Sequence, residues 1–280
     1  MKRWLLAFVA IGVLMAGVAP DTALAGPILP GFNANTLPRN DDGSTGVVAI
    51  GFGINFYGVS TGNLFVNNNG NVTFDSALST FTPFPLLTTS RQMLAPFFAD
   101  VDTRSAGDPV TYGVGTVGGR SAFGVNWVNV DYFGSSATHT NRNSFQLVMI
   151  DRSDVGAGNF DFWFNYDGIQ WEAGQASGST AQGCGGSAAR VGWSNGSTAS
   201  FELPGSAVNG AFIDSGTCGG AGANALILNS LNSDVLGRYV FGVRNGEVEQ
   251  PPTTVPDAGS SLLLLGMGLA GLKAWKQRLG

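Results

Sequence analysis

Phe160-Asp161-Phe162-Trp163-Phe164-Asn165-Tyr166-Asp167 places an aromatic ring at every even position and a mostly polar side chain at the odd ones. Successive side chains of a strand point to opposite faces, so a period of two reads as a strand with one apolar face. Working outward, Ser144 to Ile150 alternates in the same way, with Phe145, Leu147 and Met149 on one side. Tyr239, Phe241 and Val243 alternate with Arg238, Val240, Gly242 and Arg244. Shorter runs of the same character are Ile50–Phe56, Leu64–Asn67, Asn71–Phe74, Met93–Phe98, Val110–Val114, Ala122–Val130, Arg190–Trp193 and Ser200–Leu203. Asn69-Gly70 and Gly118-Gly119 stand between adjacent runs, and both pairs tolerate the positive φ that tight hairpins require.

Between these runs no stretch of the middle shows helical periodicity. Gly accounts for 42 of 280 residues and charged residues for only 12%, so the chain has many turns and few ion pairs. Many short strands separated by turns predict an all-β fold, an antiparallel, barrel-like β-sandwich built as one domain over residues 26–246. Gly174–Ala189 and Ser215–Ala225 read as long surface loops, and residues 247–254 as a polar, Pro-containing linker.

The two ends differ from the middle. Lys2-Arg3, an apolar run from Trp4 to Val18 and Ala23-Leu24-Ala25 form a secretory signal peptide over residues 1–25, cut between Ala25 and Gly26. At the far end an apolar run over residues 260–275 precedes or carries Lys273, Lys276 and Arg278. As a transmembrane helix those residues span about 24 Å, short of the ~30 Å hydrocarbon core. An ordinary membrane anchor is the plain alternative.

Between Gly26 and Val255 there is no Lys, and nine Arg face 13 Asp and four Glu. Binding nucleic acid needs a basic face to neutralise phosphates, so that partner class is excluded. Cys184 and Cys218, in an exported chain, are expected to form a disulfide; the competing reading is a nucleophilic thiol with His139 as its base. Asp100, Asp102 and Asp108 could supply an oxygen-rich Ca²⁺ site, or a carboxylate pair for acid–base chemistry. The plainer reading is that Asp102-Thr103-Arg104 ends a strand through local hydrogen bonds and an ion pair. No cofactor other than Ca²⁺ is indicated. Trp163 and Trp171 could form a flat platform for stacking sugars, although aromatics in a sandwich more often pack the core.

Tyr57-Gly58 followed by Leu64-Phe65-Val66-Asn67-Asn68-Asn69-Gly70-Asn71-Val72-Thr73-Phe74 resembles the opening of NIDO domains, the nidogen-like extracellular modules. Leu94-Ala95-Pro96-Phe97-Phe98-Ala99-Asp100-Val101-Asp102-Thr103-Arg104 resembles that family's most recognisable segment. Asn143-Ser144-Phe145-Gln146, Phe164 to Trp171, Val191-Gly192-Trp193 and Leu203-Pro204-Gly205-Ser206 follow in the family's order. Val255-Pro256-Asp257-Ala258-Gly259 with the apolar run and basic end is similar to a PEP-CTERM sorting signal of the V-P-D-S-G type, with Ala258 where Ser is usual. The first resemblance implies cell–matrix adhesion and no catalytic residues. The second implies an exopolysaccharide-producing bacterium of Gram-negative type and an exosortase that processes the tail at the inner membrane. Together they imply a non-enzymatic protein, held transiently at the inner membrane and then delivered to the cell surface, the extracellular matrix or a biofilm. Its expected partners there are matrix or surface proteins, or polysaccharide. The alternative is a carbohydrate-binding module tethered to exopolysaccharide.

Overall fold

The computed structural model describes residues 27–249, apart from 135–138, 215–217 and 220–221. The signal peptide, its cleavage site, the sorting motif and the 260–275 helix lie outside the described residues. No helix among the described residues is long and apolar enough to cross a membrane.

The alternating stretches pair into two sheets, antiparallel throughout. The larger runs β1 (Asn35–Thr36), β7 (Thr111–Val117), β8 (Arg120–Tyr132), β9 (Asn143–Asp151), β10 (Phe160–Ile169), β13 (Arg238–Arg244) and β14 (Glu247–Val248), with β6 (Val101–Gly107) also paired to β8. The smaller runs β12 (Ser200–Glu202), β11 (Arg190–Asn195), β5 (Gln92–Phe98), β4 (Asn71–Thr73), β3 (Val59–Asn67) and β2 (Val48–Phe56). The expected sandwich is therefore present. Barrel-like closure is not: both sheets are open, because no strand pairs the two ends of either order.

Phe160, Phe162, Phe164 and Tyr166 are all fully buried, as the even-position rule requires. Each such side chain contributes roughly 1.5–3 kcal/mol by leaving water. Rings meet across the gap between the sheets. Phe97 lies 5.3 Å from Phe145, Phe56 lies 6.4 Å from Phe160, and Phe201 lies 5.8 Å from Phe241. Both glycine turns form. Val117 pairs with Arg120 across Gly118-Gly119, and Asn67 pairs with Asn71 across a three-residue loop. In that loop Gly70 has φ +71°, and an added Cβ would stand 1.8 Å from the carbonyl oxygen of Phe97. Only glycine fits, because the turn presses directly against β5.

The outer face of the larger sheet is covered rather than exposed. Asn165 donates to Gln146 (2.9 Å), Gln146 donates to Asn126 (2.8 Å), and Arg238 donates to Asn165 (2.9 Å). This ladder crosses four strands and holds the segment 27–32. Gln146 bonds both N–H and C=O of Leu29, Asn126 donates to the carbonyl of Phe32, and Arg238 donates to that of Pro27. The outward-facing polar side chains of these strands are thus satisfied by one another and by backbone groups of an arm far away in sequence.

Candidate functional site

Asp100 lies in a crossover. β5 belongs to the smaller sheet and β6 to the larger, so Ala99-Asp100 carries the chain from one sheet to the other at one end of the sandwich. The loop 68–70 locks this crossing: Phe97 N–H donates to Gly70 O (3.1 Å) and Val101 N–H to Asn69 Oδ1 (2.9 Å). The segment 40–43 packs beside it, with Thr103 N–H donating to Asn40 O (2.9 Å) and Asn68 N–H to Gly43 O (2.9 Å).

That packing brings three carboxylates together. One oxygen each from Asp41, Asp42 and Asp100 lies within 4.8 Å of the others. Asp100 is 2% exposed, and its Oδ2 has no hydrogen-bond partner. Asp41 Oδ1 is likewise buried without a partner, while Asp42 Oδ1 accepts from Asn69 Nδ2 (2.9 Å). Asn68 is fully buried; its Nδ2 donates to the carbonyls of Asp41 and Val101, and its Oδ1 has no partner. Burial pushes the Asp100 carboxyl up to about 7, helped by the negative charges of Asp41, Asp42 and Asp102 and opposed by a hydrogen bond from Ser177. Burial, with Asp102 and Asp42, pushes Asp41 up to about 6 against the pull of Arg104.

The expected trio of Asp100, Asp102 and Asp108 is not brought together, and this is a correction. Asp102 sits in β6, forked by Arg104 Nε and Nη2 (3.0 and 2.8 Å), and Arg104 also reaches Asp41 (3.0 Å). The local ion pair thus exists, but it opens a strand instead of ending one. Asp108 accepts from Asn129 Nδ2 (3.0 Å) on the far side of β6. Of the three, only Asp100 shares the carboxylate group with Asp41 and Asp42; Asp102 stands beside it, paired to Arg104. Asp41 and Asp42 escaped the sequence reading, although adjacent acids before a glycine (Asp41-Asp42-Gly43) were a usable signal.

The sugar-stacking platform is also corrected. Trp171 is fully buried, donating from Nε1 to Val130 O (3.1 Å) with its ring edge-on to Phe97 (5.7 Å). Trp163 lies partly buried on the outer face under the guanidinium of Arg238, 4.8 Å from the ring centre. The two indoles share no face.

Cys184 and Cys218 form a disulfide, with Cα atoms 5.3 Å apart. That removes both thiols from the nucleophile reading. His139 is held by Asp131 (Nδ1 to Oδ1, 3.0 Å) and stacks on Tyr132 with ring centres 4.2 Å apart. Beside the disulfide, buried Glu172 accepts from Gly185 N–H (2.7 Å) and from Gly210 N–H (2.6 Å), so one carboxylate fastens the loop that carries Cys184 and the segment leading to Cys218. Burial raises its pKa, and these two backbone bonds lower it. Replacing Glu172 by Ala leaves two N–H groups without acceptors. The expected loss is about 2 kcal/mol, given ~1–3 kcal/mol for each partially shielded group, read by urea denaturation. Glu172→Gln is expected to recover part of it.

Residues 62–117 and 111–245 match the nidogen-like domain family. The chain belongs to that family. Residues 254–279 match the VPDSG-CTERM motif, so the nidogen-like domain is followed by a C-terminal sorting motif, the arrangement of an exported, surface-associated protein. Among curated proteins, mouse alpha-tectorin is 34% identical over 246 residues, 78% of this chain and 10% of the relative. Human alpha-tectorin is 33% identical over the same share, and chicken alpha-tectorin 33% over 198 residues, 62% of this chain. The chain spans about a tenth of the length of these relatives. No solved structure matches it.

Proposed function

We propose that this nidogen-like protein is a non-enzymatic component of a cell surface or extracellular matrix, acting in cell–matrix adhesion or as matrix structure, and sorted by an exosortase through its C-terminal tail. The observation that carries this reading is the order of parts: a nidogen-like domain ending at residue 245, then a sorting motif beginning at residue 254. Only the short edge strand β14 and a few polar and proline residues lie between them, so sorting would present the domain itself to the surroundings. Two features support the non-enzymatic part. Both cysteines are tied to each other, and the lone histidine is packed flat on Tyr132 with Asp131 at its Nδ1. The burial of Trp171 weighs against the polysaccharide-tether alternative.

The test is retention of the exported protein, isolated from its producer, on extracellular matrix from the same cells. Retention that survives an excess of purified polysaccharide is expected. Retention competed away by polysaccharide would replace adhesion to protein by a glycan tether, and no retention would overturn the adhesive role. Replacing Val255-Pro256-Asp257 by alanines is expected to leave the chain unprocessed and away from the surface; unchanged processing would overturn the sorting role.

A further inference from the structure

The end of the sandwich where the chain crosses between sheets concentrates negative charge with little to balance it. Asp41, Asp42, Asp100 and Asp102 stand there together, and Arg104 is the guanidinium paired to them, through Asp102 and Asp41. Arg39 lies alongside but donates to the carbonyl of Thr103. Burying uncompensated carboxylates is costly. A second observation is that buried oxygens of neighbouring residues there have no hydrogen-bond partner. Asp100 Oδ2 and Asn68 Oδ1 belong to residues 2% and 0% exposed, and neither accepts a hydrogen bond. Asn68 is wedged between the peptide of Asp41 and that of Val101, next to Asp100. Buried acceptors are ordinarily satisfied, and a cation satisfies acceptors where no donor is at hand.

The geometry points to a Ca²⁺ site formed by Asp41, Asp42 and Asp100, with Asn68 as the neighbouring neutral oxygen. A Ca²⁺ ion takes its oxygens at ~2.3–2.6 Å, so oxygens on opposite sides of it stand about 5 Å apart. The 4.8 Å spread of the three carboxylate oxygens suits that span. The donors are all oxygen, without histidine or thiolate, which selects a hard cation over zinc or copper. The carboxylates come from the 40–43 segment and the β5–β6 crossover, with the loop 68–70 between them. Ion binding therefore ties three parts of the chain distant in sequence. This inference is independent of the adhesive reading, since it predicts metal binding whatever the domain adheres to.

The experiment is calorimetric titration and thermal unfolding of the full chain after EDTA treatment and dialysis, with CaCl₂ and, separately, MgCl₂. Saturable Ca²⁺ binding in the micromolar to millimolar range is expected, with a rise of several degrees in Tm at millimolar Ca²⁺ and a smaller rise with Mg²⁺. Asp100→Asn and Asp42→Asn, close in shape to the native side chains, are each expected to abolish most of the Ca²⁺ increment. Asp100→Asn should not lower the metal-free Tm, because it relieves repulsion. A wild-type chain with neither binding heat nor a Tm response to Ca²⁺ would overturn the site. So would variants that keep the full Ca²⁺ increment, and an equal response to Mg²⁺ would overturn the assignment to calcium.

Discussion

Trp171→Ala is expected to destabilise the domain by about 3–5 kcal/mol, the cost found when a large aromatic is emptied from a core. The side chain is fully buried, its ring lies edge-on to Phe97 at 5.7 Å and 5.5 Å from Tyr132, and its Nε1 donates to Val130 O. Its Cβ also presses on Gly183, where an added Cβ would come within 2.6 Å. Truncation would therefore open a cavity between the sheets, strand the Val130 carbonyl and loosen the loop that carries Cys184. For a domain of this size, ~1 kcal/mol moves Tm by about 2–4 °C, so a fall of roughly 10 °C is expected. Trp171→Phe keeps the ring and loses the N–H, and should cost about half as much. A stability change under about 1 kcal/mol with loss of glycan binding would be the signature of a surface platform, and would contradict this account. Urea denaturation with circular dichroism separates the two outcomes.

The fate of Trp171 shows where the sequence was legible and where it was not. Period two placed Phe160, Phe162, Phe164 and Tyr166 on the core face, and all four are buried. Extended past Asp167, that parity would put Trp171 on the outside with Trp163. The register of β10 against β9 slips between Tyr166 and Gly168, and a bulge of one residue reverses which face every later side chain takes. After it the odd positions Ile169 and Trp171 turn inward. Nothing in Asp167-Gly168 beyond the glycine itself announces that slip. β6 was missed for a related reason. Only Ala99-Asp100 separates it from β5, with no glycine, proline or asparagine to mark a change of sheet. The buried Asn126, Gln146 and Asn165 looked like solvent-facing positions because the arm that covers them, residues 27–32, lies about a hundred residues away. Asp41 and Asp42 meet Asp100 by the same kind of long-range packing. Local pattern recovered both glycine turns and the strands other than β1, β6 and β14, the last of which lies where a linker was expected; contacts between distant segments made the acidic cluster.

Breaking the disulfide by Cys184→Ser with Cys218→Ser is expected to cost about 2–4 kcal/mol. The bond spans 34 residues of chain, and closing a loop of that length removes about 4 kcal/mol worth of freedom from the unfolded chain in the entropic description. The loss should fall short of that figure because, without the bond, the two loops also gain freedom in the folded state. Glu172 holds Gly185, one residue past Cys184, and Gly210 in the segment leading to Cys218. With the disulfide intact, those two acceptor positions are preorganised and Glu172 contributes fully. With it broken, the loops fray part of the time, and the carboxylate loses some of the contacts it would otherwise make. The triple variant lacking both cysteines and Glu172 should therefore lose less stability than the sum of the separate losses, with a coupling of order 1 kcal/mol. Once neither clasp acts, the cost saturates at the free energy of releasing the loops from the sandwich, since the sheets beneath do not depend on them for their pairing. Additive losses would mean that the two clasps hold independent pieces of structure. Losses larger than additive would mean that either one alone suffices to keep the loops in place.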